Sequence, residues 1–458
     1  MGHVPSPDIR VVRQFPERGF PTALLWLGLA ATFLYATGRL AWPDIGQKAG
    51  TVMALLGLFA VLRWGRGLRA SAPLWLLLAI VLSQLLTWGL GYLHHPQWLP
   101  DNPELDRMAK WFLFIGMAWW LGGSTRLTLW TWALAVPGLL LAAWLEGQGW
   151  QSWQRGLDGS RVDFGIHNAQ HAAMLFGVAA MGLACFAPRA LAAGRWAWGR
   201  RLAWGAMLVA CLVGVVVTQT RGVWLALLAA LLVVLLAWAC LAGLARAGKG
   251  SGRRRFWAGA LAASLVVSSL GAFFHDTVER RALAERAVVV SALQGDWENV
   301  PYSSVGVRLH SWRAALEWIA ERPLVGWGGE GRSLVMEETE WLPTHIRQRF
   351  GHLHNTLLEV LVGYGLLGAG VIAVLAAWVA RGTWLAWRGG AMPGDMALFG
   401  AGFFVFFMIA NQFESYLAFW SGGYAFTLVM GGLVTHIWRW QAHSGRPVLG
   451  RRTDRSSG

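Results

Sequence analysis

Apolar windows near the ~20 residues needed to cross a bilayer recur roughly a dozen times in this 458-residue chain. They begin at about residues 21, 46, 72, 109, 125, 168, 202, 222, 256, 355, 396 and 417. Lipid offers no partner to backbone N–H and C=O groups, so windows of this length cross as helices. The expected fold is all-α: a polytopic membrane bundle of about 12 transmembrane helices. A content of 55% hydrophobic residues against 14% charged ones is too apolar for a soluble core.

The net charge of +15 raises nucleic acid as a partner, but the basic residues sit in short links between spans and form no single stripe, so no nucleic acid is expected. They read as topology signals. Arg10, Arg13 and Arg18 precede the first span, Arg63, Arg66 and Arg69 follow the second, and Arg189, Arg195, Arg200 and Arg201 follow the sixth. Arg246, Lys249 and Arg253 to Arg255 follow the eighth, and Arg446, Arg451 and Arg452 lie in the tail. Every second connection is basic, while "AWPDIG" and "ESYLAFWSGG" carry no Lys or Arg. Both termini are therefore expected in the cytoplasm, and no cleavable signal peptide is evident. Cys185, Cys211 and Cys240 fall inside spans and read as packing residues.

This orientation divides the chain into a cytoplasmic segment 1–20, transmembrane helices 1–9 over 21–274, a helical segment 275–353 on the non-cytoplasmic side, transmembrane helices 10–12 over 354–440 and a polar, disordered cytoplasmic tail 441–458. Within the far-side segment, periplasmic if the chain is bacterial, two amphipathic helices are expected. One carries Leu283, Ala287 and Val290, and the other starts at Arg308 and carries Leu309, Trp312, Leu316 and Ile319.

Four separate stretches bring polar groups to the far membrane face. "GHLHN" holds His352, His354 and Asn355, "VTQTRG" holds Arg221, the second amphipathic helix holds Arg308, and "GSRVDFGIHNAQH" holds Arg161, His167 and His171. Singly, each has a plain structural reading. Arginines snorkel to headgroups, a residue before a helix caps it, Gly365 and Gly368 suit close helix packing, and tryptophans form interfacial belts. His167 and His171 stand at metal-ligand spacing but lack a third ligand. Together, guanidinium forks for an anion and imidazoles that exchange protons near neutral pH describe a phosphate-handling site at a membrane surface.

"HNTLLEVLVGYGLLG" resembles the signature of O-antigen ligases: His354 and Asn355, nine residues, then Gly365 and Gly368. "TQTRG" is similar to an element of the wider ligase and polymerase superfamily, and Arg308 falls where that family carries a second arginine. The resemblance spans about residues 200 to 380 in motif and the whole chain in topology.

It implies a metal-independent, inverting glycosyltransferase (glycosyltransferase-C-like) of the bacterial inner membrane with a periplasmic site. Polysaccharide would pass from undecaprenyl pyrophosphate to a sugar hydroxyl of lipid A-core. The implied partners are that lipid-linked donor, that acceptor, membrane lipids and other lipopolysaccharide-assembly proteins. Arg221 and Arg308 would hold the pyrophosphate, and His354, with His352 as the competing choice, would be the general base. Arg161, His167, His352, Asn355 and Trp312 would bind substrate. The resemblance implies no cofactor, and the absence of any Asp-x-Asp pair removes the usual divalent-ion site. An O-antigen polymerase or a protein O-oligosaccharyltransferase would share much of this pattern. A transporter would instead place ionisable groups at mid-depth.

Overall fold

A computed structural model describes residues 20–244 and 288–449. The described residues form helices and loops without a strand. The helices of eight residues or more are α1 (Thr22–Ala41), α2 (Pro43–Trp64), α3 (Ala72–His94), α4 (Phe114–Leu121), α5 (Thr125–Leu145), α6 (Trp150–Leu157) and α7 (Ala169–Cys185). They continue with α8 (Ala197–Val217), α9 (Arg221–Leu244), α10 (Ser304–Glu321), α11 (Gly331–Glu338), α12 (Thr356–Arg388), α13 (Gly394–Ala410) and α14 (Trp420–Ser444).

Seven of these helices, α1, α2, α3, α5, α8, α9 and α12, are long and apolar enough to cross a membrane, while α7 and α13 are apolar but 17 residues long. The windows predicted near 21, 46, 72, 125, 202, 222 and 355 thus coincide with helices of spanning length and composition. The window near 256 and the first amphipathic helix, up to Ala287, lie outside the described residues. Large apolar side chains stay exposed on the outer helices, among them Trp26, Leu55, Phe59 and Trp75, as on a surface solvated by lipid.

The window near 109 departs from expectation. It is a short helix at Asp106–Ala109, a 3₁₀ turn at Lys110–Phe112, and then α4, all eight of whose residues are buried. A helix apolar all round belongs inside a protein. It is held between α2 and α14 because Gly57 leaves room for Gly116: a Cβ on Gly57 would meet Gly116 Cα at 2.4 Å. The Trp120 indole N–H finds its acceptor in Met53 O at 2.8 Å, and Trp111 Nε1 donates to Leu417 O at 2.9 Å.

The segment from Val307 to Val362 has a small core of its own, including Ala314, Trp327, Met336, Ile346 and Leu353. Helix α10 begins at Ser304, four residues before the predicted start at Arg308, because Ser303 Oγ caps it by accepting from Gly306 N. Its buried side runs through Val307, His310, Ser311 and Ala314, while Leu316 on the predicted apolar stripe stays exposed.

This segment locks into α12 through backbone. Trp327 N and Gly328 N donate to Val362 O and Gly363 O, and Leu366 N and Leu367 N donate to Pro323 O and Leu324 O. The interlock requires a break in α12, and the break is Gly365, at φ 58°, ψ −157°. A Cβ there would stand 2.3 Å from Leu324 C. Gly365 is therefore a backbone necessity, which corrects its reading as a small packing face. The tail also differs from expectation. Helix α14 runs to Ser444, and Val448 is buried with its carbonyl accepting from Arg381 Nε at 2.6 Å, so order extends past residue 441.

Candidate active site

Four chain segments meet where α7, α9, α12 and α14 begin, joined by the α10 surface. Asn355 starts α12: its Oδ1 accepts from Leu357 N at 3.0 Å and Leu358 N at 3.2 Å, and its Nδ2 donates to Gln412 Oε1. Asn168 starts α7 in the same way, accepting from Gln170 N and His171 N. The residues before these caps are bent sharply. His354 and His167 both have φ 52°, and Gln219 in the turn before Arg221 has φ 50°. Left-handed backbone at such residues costs on the order of 1–3 kcal/mol each and persists only where surroundings enforce it. Three strained residues in three loops of one site mark a geometry fixed before any ligand arrives.

Glu414, in the loop between α13 and α14, is the centre of the site. It is fully buried, and its carboxylate takes His352 Nε2 on Oε1 and His354 Nδ1 on Oε2, each at 3.2 Å. Gln170 Nε2 donates to Oε2, and Ser415 N donates to Oε1 at 3.0 Å. Burial pushes the Glu414 carboxyl upward, but hydrogen bonds from both imidazoles and their charge outweigh it and hold it well below the usual carboxylate range. The His354–Glu414 contact occupies Nδ1, and His354 Nε2 has no hydrogen-bond partner among the described residues.

The amide of Gln170 continues this chain toward the arginines, because its Oε1 accepts a long bond of 3.5 Å from Arg308 Nη2. Arg308 Nε is buried without a partner among the described residues. Burial lowers the Arg308 pKa, against the favourable charge of Glu414; Arg161 and Arg221 are near enough to lower it further. Arg161 is fixed to the turn before α9, with Nε donating to Thr218 O at 3.2 Å. Gly222 keeps Arg221's helix against the same loop as Glu414, since a Cβ there would meet Phe413 Cβ at 2.9 Å. A buried donor without an acceptor, among three guanidinium groups, can receive an anion at little reorganisation cost.

The predicted site residues thus divide. Arg161, Arg221, Arg308, His167, His352 and His354 come together. The His167 ring lies 4.6 Å from His171 and 4.5 Å from Phe419, and burial lowers its pKa. Asn355 and Trp312, expected to contact substrate, make structural hydrogen bonds here. Asn355 uses its amide as a cap and on Gln412. Trp312 Nε1 donates to Leu353 O at 2.9 Å, fixing the residue beside His354. Both position the histidine.

Sequence reasoning missed Glu414 and Gln170. The lone carboxylate in "NQFESYLAFW" is the available signal, since an acid at the mouth of a membrane helix needs a partner. His352, His354 and Glu414 also form the group that could hold a metal ion among the described residues, with ligand atoms within 4.8 Å of one another.

Residues 206–373 match a family model described as O-antigen ligase, a stretch that includes Arg221, Arg308, His354 and Gly365 and ends before Glu414. No curated protein matches the chain.

Proposed function

From the membership of the O-antigen ligase/polymerase superfamily that residues 206–373 give this chain, a multi-pass membrane protein, we propose that it is an O-antigen ligase of the bacterial inner membrane. It moves polysaccharide from undecaprenyl pyrophosphate to a sugar hydroxyl of lipid A-core on the periplasmic face. Both termini lie in the cytoplasm, and the expected twelve spans complete the topology.

The acceptor hydroxyl oxygen attacks the anomeric carbon. The bond from that carbon to the pyrophosphate oxygen breaks, and the pyrophosphate leaves with the electron pair. Single displacement inverts the anomeric centre. The hydroxyl proton passes to His354 Nε2, while Glu414 on Nδ1 fixes the ring's tautomer and balances its charge. Arg308, Arg221 and Arg161 receive the leaving group, whose charge grows as the bond breaks. Arg308 offers a fork of donors where Lys would offer a single point charge. His352 and His167 line the path of the acceptor. The arginines supply the positive charge that a divalent ion would otherwise bring to the pyrophosphate, and transfer is taken to be metal-independent on that ground.

The observation that carries this reading is the Arg308–Gln170–Glu414–His354 chain. It puts a buried, unspent guanidinium nitrogen at one end and an imidazole nitrogen without a partner among the described residues at the other.

Lipopolysaccharide gel profiles of a ligase-deficient strain test it. The wild-type chain restores capped lipopolysaccharide, and Arg308→Ala or His354→Ala at matched membrane levels accumulates carrier-linked polymer. A chain that leaves lipopolysaccharide uncapped and instead rescues a strain lacking polymerase refutes the acceptor.

A further inference from the structure

A cavity of about 890 Å³, apart from the Glu414 site, lies between α5, α7, α8 and α14, with walls formed by residues such as Leu129, Val136, Leu175, Val178 and Leu428. Its volume falls in the range of ordinary ligand sites, and its walls are mostly apolar, the charged residues lying at one end.

The two ends of these helices differ. His171 on α7 and Ser421 on α14 lie at the Glu414 end, where His171 Nδ1 meets Ser421 Oγ. Arginines ring the other end: Arg126 at the start of α5, Arg439 on α14, and Arg189 and Arg200 on either side of the α7–α8 link. The 17 residues of α7 separate the ends by about 25 Å at ~1.5 Å per residue.

Two of the four arginines are committed. Arg189 is paired with Asp395, and Arg200 donates to Ala190 O and Ala192 O. Arg126 makes no hydrogen bond among the described residues. Arg439 donates from Nη1 to Gly123 O at 3.4 Å, and its Nε is buried without a partner among them. No carboxylate lines the cavity among the described residues. Beside Arg200, Trp196 and Trp198 are 76% and 81% exposed, as expected of indoles at headgroup depth.

We propose that this cavity binds one anionic glycerophospholipid, its acyl chains along the α5–α7–α8 walls and its phosphate on Arg126 and Arg439. Uncompensated cations at a single rim select the sign of the headgroup, and the depth of that rim selects the leaflet away from the Glu414 site. A pyrophosphate-bearing polyprenyl carrier serving that site would present its head at the opposite end. A zwitterionic lipid would bring its own cation against the arginines.

Native mass spectrometry of the full chain in neutral detergent, with added phosphatidylglycerol, phosphatidylcholine or undecaprenyl phosphate, tests the site. Wild type retains one phosphatidylglycerol in preference to phosphatidylcholine. Arg126→Glu and Arg439→Gln each reduce that retention about tenfold, the scale of one charge-assisted hydrogen bond. Ala179→Trp, which fills the cavity away from the arginines, reduces it as well. Arg126 is exposed, so its variant decides the matter even if Arg439→Gln misfolds. Equal retention of both phospholipids, unchanged retention in Arg126→Glu, or displacement of phosphatidylglycerol by undecaprenyl phosphate each overturns the proposal.

Discussion

Glu414 Oε2 lies 3.2 Å from His354 Nδ1, across 60 residues of chain, and the same carboxylate reaches His352 through its other oxygen. One buried acid thereby sets the orientation of both histidines at the mouth of α12. Glu414→Gln keeps the shape and removes the charge. Turnover is expected to fall roughly 10²-fold or more, with KM for donor and acceptor little changed, because the loss concerns the base and not the binding groups. Steady-state kinetics at matched protein levels check this; a variant with unchanged kcat would remove Glu414 from the mechanism.

Acid stability follows from the same residue. Its folded pKa is held below the ordinary 4.5 by the imidazole hydrogen bonds, which outweigh burial. The stability this pairing contributes is complete above about pH 4.5. It is lost progressively as pH falls toward the depressed folded value, because the unfolded chain takes up the proton first. Thermal melts from pH 7 downward are expected to show wild type losing more of its midpoint below pH 4.5 than Glu414→Gln. Parallel curves contradict the pairing.

Gly365 breaks α12 so that residues 323–328 can bond to its backbone. Gly365→Ala places a Cβ 2.3 Å from Leu324 C in a conformation that L side chains rarely adopt. A destabilisation above about 3 kcal/mol is expected, seen as reduced membrane level and a lowered melting midpoint. Wild-type stability in this variant would show that the interlock is dispensable.

The triad of His352, His354 and Glu414 has a ligand set that a divalent ion could use. The Glu414 charge is balanced by the imidazoles and the pyrophosphate by the arginines, so exhaustive EDTA treatment is expected to leave the transfer rate unchanged. Loss on chelation with recovery in Mg²⁺, Mn²⁺ or Zn²⁺ would make the triad a metal centre.

Much of the bundle was legible because membrane helices announce themselves by length and apolarity, which are local properties. Arg221, Arg308 and His354 stand out as candidates for a related reason, each in a short polar stretch beside an apolar run, and the structure brings them together while their roles remain proposals. What escaped depends on distant pairing. Glu414 acquires its role only when the loop after α13 folds beneath His354, and Gln170 only when α7 starts beside both. Gly365 was misread because a glycine for helix packing and a glycine for a backbone break look alike until residues 323–328 are seen bonded to it. The motif makes Asn355 and Trp312 visible, but their partners, Gln412 and Leu353 O, come from distant chain and only the fold shows them. The fourth apolar window was recognised by content, but its buried, broken helix follows from enclosure by α2 and α14, which no local pattern records.

The most direct measurement is transfer by the purified full chain, reconstituted in vesicles with undecaprenyl-pyrophosphate-linked glycan and lipid A-core, comparing wild type with His354→Ala and Arg308→Ala. Capped lipopolysaccharide is expected from wild type, with a loss of roughly 10²-fold or more in each variant, donor still bound by His354→Ala and bound more weakly by Arg308→Ala. Transfer at the wild-type rate by His354→Ala, with folding and membrane insertion intact, would contradict it.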